Sequence, residues 1–204
     1  MSDLAHLAAT IFRRAAGRSR FLIAVAGPPG AGKTTSAARL AALLGDAVTV
    51  PMDGFHYDNA VLDARGLRAR KGAPETFDAD GLVALVERLA RGDRDVVAPG
   101  FDRQEDFSRA GAIVVARAIR FVVVEGNYLL LDREPWRALR PHFGLTVMLD
   151  MPKGELAHRL VRRWIDHGLD EKAARERAFG NDMANAEQVV GGSAAADIVV
   201  TLAD

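Results

Sequence analysis

The sequence predicts a three-layer α/β fold, in which a mostly parallel sheet carries helices on both faces. Short apolar runs alternate with helical stretches along the 204 residues, and strands that alternate with helices usually pair in parallel. The runs at 21–26 and 119–124 are apolar almost throughout, as strands covered on both sides must be. A glycine-rich loop joins the first run to a helix, which is where such folds bind ligands.

The elements can be assigned in order from these patterns. Leu4, Leu7, Ala8, Ile11 and Phe12 recur at helical spacing and predict an amphipathic helix within residues 1–20. The predicted strands are 21–26, 47–50, 119–124, 145–149 and 198–202, with short strands at 95–98 and 113–116 separated by a loop. The predicted helices are 32–44, 82–89, 153–167 and 170–189. Residues 54–77 form an excursion rich in glycine and arginine, and we expect one domain over 1–204.

Composition excludes several functional classes. The absence of cysteine excludes a disulfide framework, a zinc–thiolate site and a cysteine nucleophile. Because 27 basic residues balance 27 acidic ones, we expect no binding to nucleic acid. The apolar runs are too short to insert in a membrane, and a strand from Phe21 leaves no spacer for a cleaved leader, so we expect a cytoplasmic protein.

A phosphate-binding loop follows the first strand. Its pattern is G-x-x-x-x-G-K-[ST] over residues 27–34. With the next threonine, the candidate nucleotide-binding residues are Gly27, Pro28, Pro29, Gly30, Ala31, Gly32, Lys33, Thr34 and Thr35. Glycine lets the backbone N–H groups turn toward a phosphate, and the helix N-terminus adds partial positive charge. Lys33 would reach the β- and γ-phosphates, while the Thr34 hydroxyl would bind Mg²⁺. The sequence therefore predicts a P-loop NTPase fold that binds a nucleoside triphosphate and Mg²⁺.

Such a loop is compatible with a GTPase switch, an ATPase that acts on a protein partner, or a kinase for small molecules. A GTPase needs a late N/T-K-x-D motif. The lysines that follow the loop are Lys71, Lys153 and Lys172, and none of them lies in such a motif. The ATPase and the kinase remain open at this point.

Acidic residues end two of the predicted strands. Asp53 follows the second strand and Glu125 follows the 119–124 run, so both would lie at the carboxyl edge of the sheet with the loop. Phosphoryl transfer needs a group that accepts the proton of the acceptor hydroxyl and a metal ion on the β- and γ-oxygens. We assign Asp53 as the base and Glu125 to the metal.

Several motifs together resemble the phosphoribulokinase/uridine kinase/pantothenate kinase superfamily. They are the P-loop, Met52-Asp53-Gly54-Phe55-His56, the run from Arg70 to Asp78, and Glu125-Gly126-Asn127-Tyr128. Pro99-Gly100-Phe101-Asp102-Arg103 and Gly180-Asn181-Asp182 are most similar to a bacterial branch named for fructose-transport-system kinases. The resemblance implies ATP-dependent phosphorylation of a hydroxyl group, and we favour a sugar as the acceptor over uridine or pantothenate. The chain lacks the extra length of pantothenate kinases, which argues against pantothenate.

The remaining site assignments concern the acceptor and a lid. His56, Tyr57, Arg65, Lys71, Asp102 and Arg103 are the candidate acceptor-binding residues. Arg159 and Arg163 share one face of the 153–167 helix, and the resemblance implies that this helix and the next, about 153–185, form a short helical lid whose arginines stabilise the transferring phosphoryl group. The expected partners are ATP and a small-molecule acceptor, and a homodimer is possible.

Overall fold

The computed structural model describes residues 2–201 and contains a five-stranded parallel sheet. The strand order is β2-β5-β1-β6-β7, and a separate two-stranded sheet pairs β3 with β4. The strands are β1 (Phe21–Ala26), β2 (Ala47–Pro51), β3 (Val96–Asp102), β4 (Phe107–Val115), β5 (Phe121–Gly126), β6 (Leu145–Asp150) and β7 (Ile198–Thr201). The helices are α1 (Ser2–Arg14), α2 (Lys33–Leu44), α3 (Asn59–Ala64), α4 (Ala79–Arg91), α5 (Lys153–Asp166), α6 (Glu171–Arg177) and α7 (Met183–Gly192).

The central strand β1 is buried along its whole length, and its residues alternate between two cores. Leu22 and Ala24 pack in a core with the apolar face of α4, including Leu82. Ile23 and Val25 pack in a second core with α1 and α2, including Leu40. This alternation has the strand period of two and confirms the three-layer arrangement.

The order of strands reverses direction at β1. The chain passes from β1 through α2 to β2 on one side, whereas β6 and β7 lie on the other side. Parallel sheets bind ligands at the carboxyl end of the strands where this reversal occurs. The P-loop follows β1 at this point, so the topology places it at the expected ligand-binding edge.

The prediction of two short strands with a loop between them was wrong in extent. β3 and β4 form one long antiparallel hairpin with a register irregularity between Ala98 and Gly100, and only residues 103–106 connect them. The residues of β4 are mostly exposed, so hydrophobic alternation did not mark its length. The hairpin packs on the short 3₁₀ turn Met52–Phe55 that follows β2.

The predicted helix 170–189 is interrupted. It consists of α6, a π-helical turn at Ala178–Asp182 and α7, which ends at Gly192. With α5 these segments bury a small core of their own that includes Leu156, Leu160 and Met183. The last strand was predicted to reach Leu202, which lies outside the described residues. Within residues 2–201 no helix is both long and apolar enough to span a bilayer.

Candidate active site

The P-loop adopts the geometry that its glycines predict. Gly30 and Gly32 have φ of 84° and 78°, which is the left-handed region that glycine enters without strain. Gly27 lies close to β6, because a Cβ there would be only 2.9 Å from the Leu149 carbonyl oxygen. The loop lines a cavity of about 750 Å³ through six of its residues, Pro29, Gly30, Gly32, Lys33, Thr34 and Thr35.

Lys33 is buried beneath the loop. Its side-chain Nζ donates a hydrogen bond of 2.9 Å to the Pro28 carbonyl oxygen. Burial lowers the pKa of Lys33 to about 8, and the negative charges of Glu125 and Asp53 oppose that shift. Keeping the ammonium charged in this pocket therefore costs free energy, and a bound phosphate group would offset that cost.

Thr34 and Glu125 lie together on the floor of the cavity. The Thr34 hydroxyl donates a hydrogen bond of 3.0 Å to Glu125 Oε1. In the sheet register Glu125 is opposite both Val25 of β1 and Pro51 of β2, which places its carboxyl between the P-loop and Asp53. Burial and the charge of Asp53 raise the pKa of Glu125, so a cation at this place would be stabilising.

Asp53 lies in the same cavity on the turn after β2. Its Oδ2 accepts a bond of 2.6 Å from the guanidinium of Arg103, which the β3–β4 hairpin carries. The carboxyl also contributes to the pKa shifts of both Lys33 and Glu125. A carboxylate near the P-loop but outside it is thus available to an acceptor hydroxyl.

An aromatic stack borders Asp53. His56 lies between Phe77 and Phe101, with ring centroids 4.0 Å and 4.7 Å away, and its Nδ1 is 2.8 Å from the Asp53 carbonyl oxygen. Burial lowers the pKa of His56, which favours a neutral imidazole at neutral pH. All three rings line the cavity and form an apolar wall with one polar edge.

Lys71 closes this end of the cavity. Its Nζ donates bonds of 2.7 Å to Asn59 Oδ1 and 2.8 Å to Asp106 Oδ1, and it lies 5.1 Å from the centre of the Phe101 ring. These contacts tie the excursion at 54–77 to the tip of the hairpin. Lys71 is therefore engaged by the protein itself, in addition to lining the cavity.

The opposite wall comes from α5 and the π-helical turn. The Trp164 indole Nε1 donates a bond of 2.6 Å to Asp182, and Arg163 lies 3.5 Å from the same carboxyl oxygen. Arg163 and Arg177 both lie over the Trp164 ring, at 5.0 Å and 5.2 Å. One of the two predicted lid arginines, Arg163, thus lines the cavity.

Comparison with known proteins agrees with this geometry. The model of the phosphoribulokinase/uridine kinase family matches residues 22–202. The chain belongs to this family. The kinase is 44% identical to a crystal structure from Silicibacter sp. TM1040 titled "putative fructose transport system kinase", with a TM-score of 0.93 and coverage of 97% and 98% of the two chains.

Two curated relatives are also similar to the kinase. It is 35% identical to the "Uncharacterized protein YggC" of Escherichia coli K12, over 91% of this chain and 79% of that protein. It is also 35% identical to the "Putative uridine kinase C227.14" of Schizosaccharomyces pombe, over 90% and 83%. Family membership identifies the chain as an ATP-dependent kinase and disfavours the ATPase alternative.

Besides the loop residues Gly27, Pro28 and Ala31, four residues predicted for the site do not line the cavity of the kinase. Arg65 lies over the ring of Tyr57, 4.5 Å from its centre, so these two contact each other. Asp102 accepts bonds from the backbone of Gln104 and Glu105 and shapes the hairpin turn. Arg159 is paired with Glu155 at 2.8 Å, one turn back on α5. Sequence spacing places residues on a helix face or near a strand end, but it does not decide which side chain turns inward.

Other cavity residues were absent from the predicted site. They include Arg68, Phe101, Asp106, Asn127, Trp164, Arg177, Asp182 and Asn185. Asn185 is 1% exposed and its Oδ1 has no hydrogen-bond partner among the described residues, which is unusual for a buried amide. The motif Glu125-Gly126-Asn127-Tyr128 could have indicated Asn127. The motifs at 99–103 and 180–182 could likewise have indicated Phe101 and Asp182. The others come from segments far apart in the sequence that only the fold brings together.

Proposed function

We propose that this kinase transfers the γ-phosphoryl group of ATP to a hydroxyl group of a sugar or similar metabolite, with Asp53 as the general base. The observation that carries the proposal is the position of the Asp53 carboxyl. It lies in one cavity with the P-loop residues Lys33 and Thr34, yet on a different strand end. This separation leaves room for an acceptor between the base and the triphosphate.

The proposed step follows from these positions. The acceptor oxygen forms a bond to the γ-phosphorus while the bond from that phosphorus to the β,γ-bridging oxygen breaks. The hydroxyl proton passes to Asp53, and ADP leaves with the former bridging oxygen. Lys33 and the N-terminus of α2 would stabilise the negative charge on the phosphates, and Arg163 would do so from the α5 wall.

A magnesium ion fits the oxygen groups of Thr34 and Glu125. Among residues 2–201 no group of three or more His, Asp or Glu side chains is placed to hold a metal. Mg²⁺ commonly needs only one or two protein oxygens because phosphate oxygens and water complete its shell. When bound with ATP it would neutralise charge on the β- and γ-phosphates. Glu125, whose carboxyl is buried beside the Thr34 hydroxyl, would hold the ion directly or through water.

The lid remains part of the proposal. The segment from α5 to α7 has its own small core, and Arg163 and Trp164 face the cavity from it. A segment packed on itself can approach the phosphates as a unit and exclude water, which would otherwise compete with the acceptor.

The decisive experiment is an acceptor panel with the variant Asp53→Asn. Purified kinase is given MgATP with sugars, uridine and pantothenate, and both ADP release and the phosphorylated product are measured. We expect one acceptor class to be phosphorylated and Asp53→Asn to lower its turnover about 10²–10⁴-fold with nearly unchanged ATP binding. Asp150→Asn is the matched control, because Asp150 is an exposed acid at the end of β6.

The outcomes separate the alternatives. Unchanged turnover in Asp53→Asn would remove Asp53 from the role of base. A preference for uridine or pantothenate would replace the sugar. A panel without product, combined with hydrolysis that a protein partner stimulates, would favour the regulatory ATPase.

The cytoplasmic location and the homodimer also remain proposals. Absence of any membrane-spanning helix among residues 2–201 is consistent with the location, which cell fractionation would test. Light scattering of the purified kinase would decide between a monomer and a dimer.

A further inference from the structure

The proposed base is already engaged by a cation. Arg103 donates a bond of 2.6 Å to Asp53 Oδ2, the carboxyl that has to receive the hydroxyl proton. An acceptor hydroxyl on that oxygen would have to share it with the guanidinium, whose positive charge makes the carboxylate a weaker base. Arg103 therefore lies directly against the proposed base, at the end of the cavity where the acceptor is proposed to bind.

The ion pair between Arg103 and Asp53 can be broken at a small cost in free energy. Its side chain is 61% exposed and lies in the four-residue connection of the hairpin, so it has room to rotate. An ion pair with so much solvent contact contributes little to stability. A guanidinium also stays protonated in proteins, so Arg103 keeps its positive charge after it leaves Asp53 and can then bind another anion.

The neighbouring cations already have partners. Lys71 is bonded to Asn59 and Asp106, and Arg68 lies 3.7 Å from the same aspartate. Arg163 lies beside Asp182 on the opposite wall. Displacement of Arg103 from Asp53 would therefore add to this end of the cavity a positive charge without a carboxylate partner.

We propose that the acceptor is an anion, in which a carboxylate or phosphate group near the reactive hydroxyl takes Arg103 from Asp53. The guanidinium binds either group through two parallel N–H bonds. One ligand would then release the base and position the hydroxyl on it. A neutral acceptor would leave Arg103 competing for the same oxygen. This inference rests on the proposed function and narrows its substrate class.

The test uses pairs of acceptors that differ in one charged group. Glycerate and glycerol, and gluconate and glucose, test a carboxylate, whereas fructose 6-phosphate and fructose test a phosphate. We expect the charged member of at least one pair to have a kcat/KM about tenfold or more above its neutral partner, as a charge-assisted pair of hydrogen bonds provides.

Variants of Arg103 locate the effect. Arg103→Gln should raise KM for the charged acceptor about 10–100-fold and change KM for the neutral partner much less. Arg103→Lys should keep part of the preference, because it keeps the charge and loses the fork. The matched control is Arg109→Gln, which removes an exposed arginine of the same hairpin that does not line the cavity.

Two results would overturn the inference while the proposed function stands. Either neutral partners are phosphorylated as efficiently as charged ones, or Arg103→Gln lowers kcat/KM for both members equally. If no acceptor is phosphorylated, the proposed function fails, and calorimetric binding of the same pairs decides the inference. Charged members that bind wild type but not Arg103→Gln would then support it, and equal or absent binding would overturn it.

Discussion

Gly54 offers a sharp test of how the hairpin positions the base. It follows Asp53 directly, and a Cβ at Gly54 would lie 2.5 Å from the Pro99 carbonyl oxygen and 2.8 Å from its carbonyl carbon. Non-bonded heavy atoms need about 3.5 Å. In Gly54→Ala, the turn Met52–Phe55 and the hairpin therefore have to separate by about 1 Å. The atoms that clash belong to backbone, so a side-chain rotation cannot relieve them.

The separation should reduce catalysis more than stability. Asp53 lies on one side of the contact and Arg103 on the other, so their relative position changes by the same distance. A misplacement of about 1 Å can cost about 10²-fold in rate, and we expect that loss in kcat/KM. Overpacking of this kind costs about 1–3 kcal/mol, which lowers the Tm of a chain of this size by about 2–12 °C.

The assay compares kcat/KM and ATP binding at a temperature well below the unfolding transition, and Tm is measured separately by thermal unfolding. Gly191→Ala is the control, because a Cβ there meets no atom within 4 Å in α7, and it should keep wild-type kcat/KM. Wild-type kcat/KM in Gly54→Ala would refute the reasoning that this contact positions the base. Loss of ATP binding as well would show that the damage extends beyond the acceptor end.

Two further predictions concern Lys33 and Trp164. Because burial lowers the pKa of Lys33 to about 8, its charge destabilises the fold below pH 8, and this penalty disappears as pH rises toward the ordinary 10.5. Lys33→Met should thus raise the Tm of the ATP-free protein at pH 7, and raise it by a smaller amount at pH 10. The same variant should abolish the increase in Tm that ATP produces. A lowered Tm at pH 7 would contradict this prediction. ATP should change tryptophan fluorescence in wild type but not in Trp164→Phe, because Trp164 lines the cavity whereas Trp136 is buried in the core; a change that persists in Trp164→Phe would contradict it.

The fold was predictable where burial constrains both faces of an element. β1 and β5 are buried at every position, so their apolar runs mark them without ambiguity. The hairpin was underestimated because β4 is largely exposed, and exposure removes the pressure for apolar residues. The break between α6 and α7 was missed because a π-helical turn changes the backbone bonds without a marked change in hydrophobic period.

The candidate site was predictable where chemistry is tied to a strand end. Lys33, Thr34, Asp53 and Glu125 were all assigned from the residues around the predicted strands, and the structure brings them together. Arg159 and Arg163 were equivalent by spacing, and only tertiary packing directs Arg163 to the cavity. Its partner in that wall, Asp182, is 19 residues away in the sequence.

The sequence by itself determined the layered fold, the P-loop and the edge of the sheet where the acids lie, because strand burial and backbone conformation depend on local residues. The tertiary structure alone decided the pairing of Asp53 with Arg103 across 50 residues and the meeting of Lys71 with Asp106. Such pairs depend on how the hairpin packs over the β2 turn. That packing depends on complementary surfaces from segments far apart in the sequence, so no single segment encodes it.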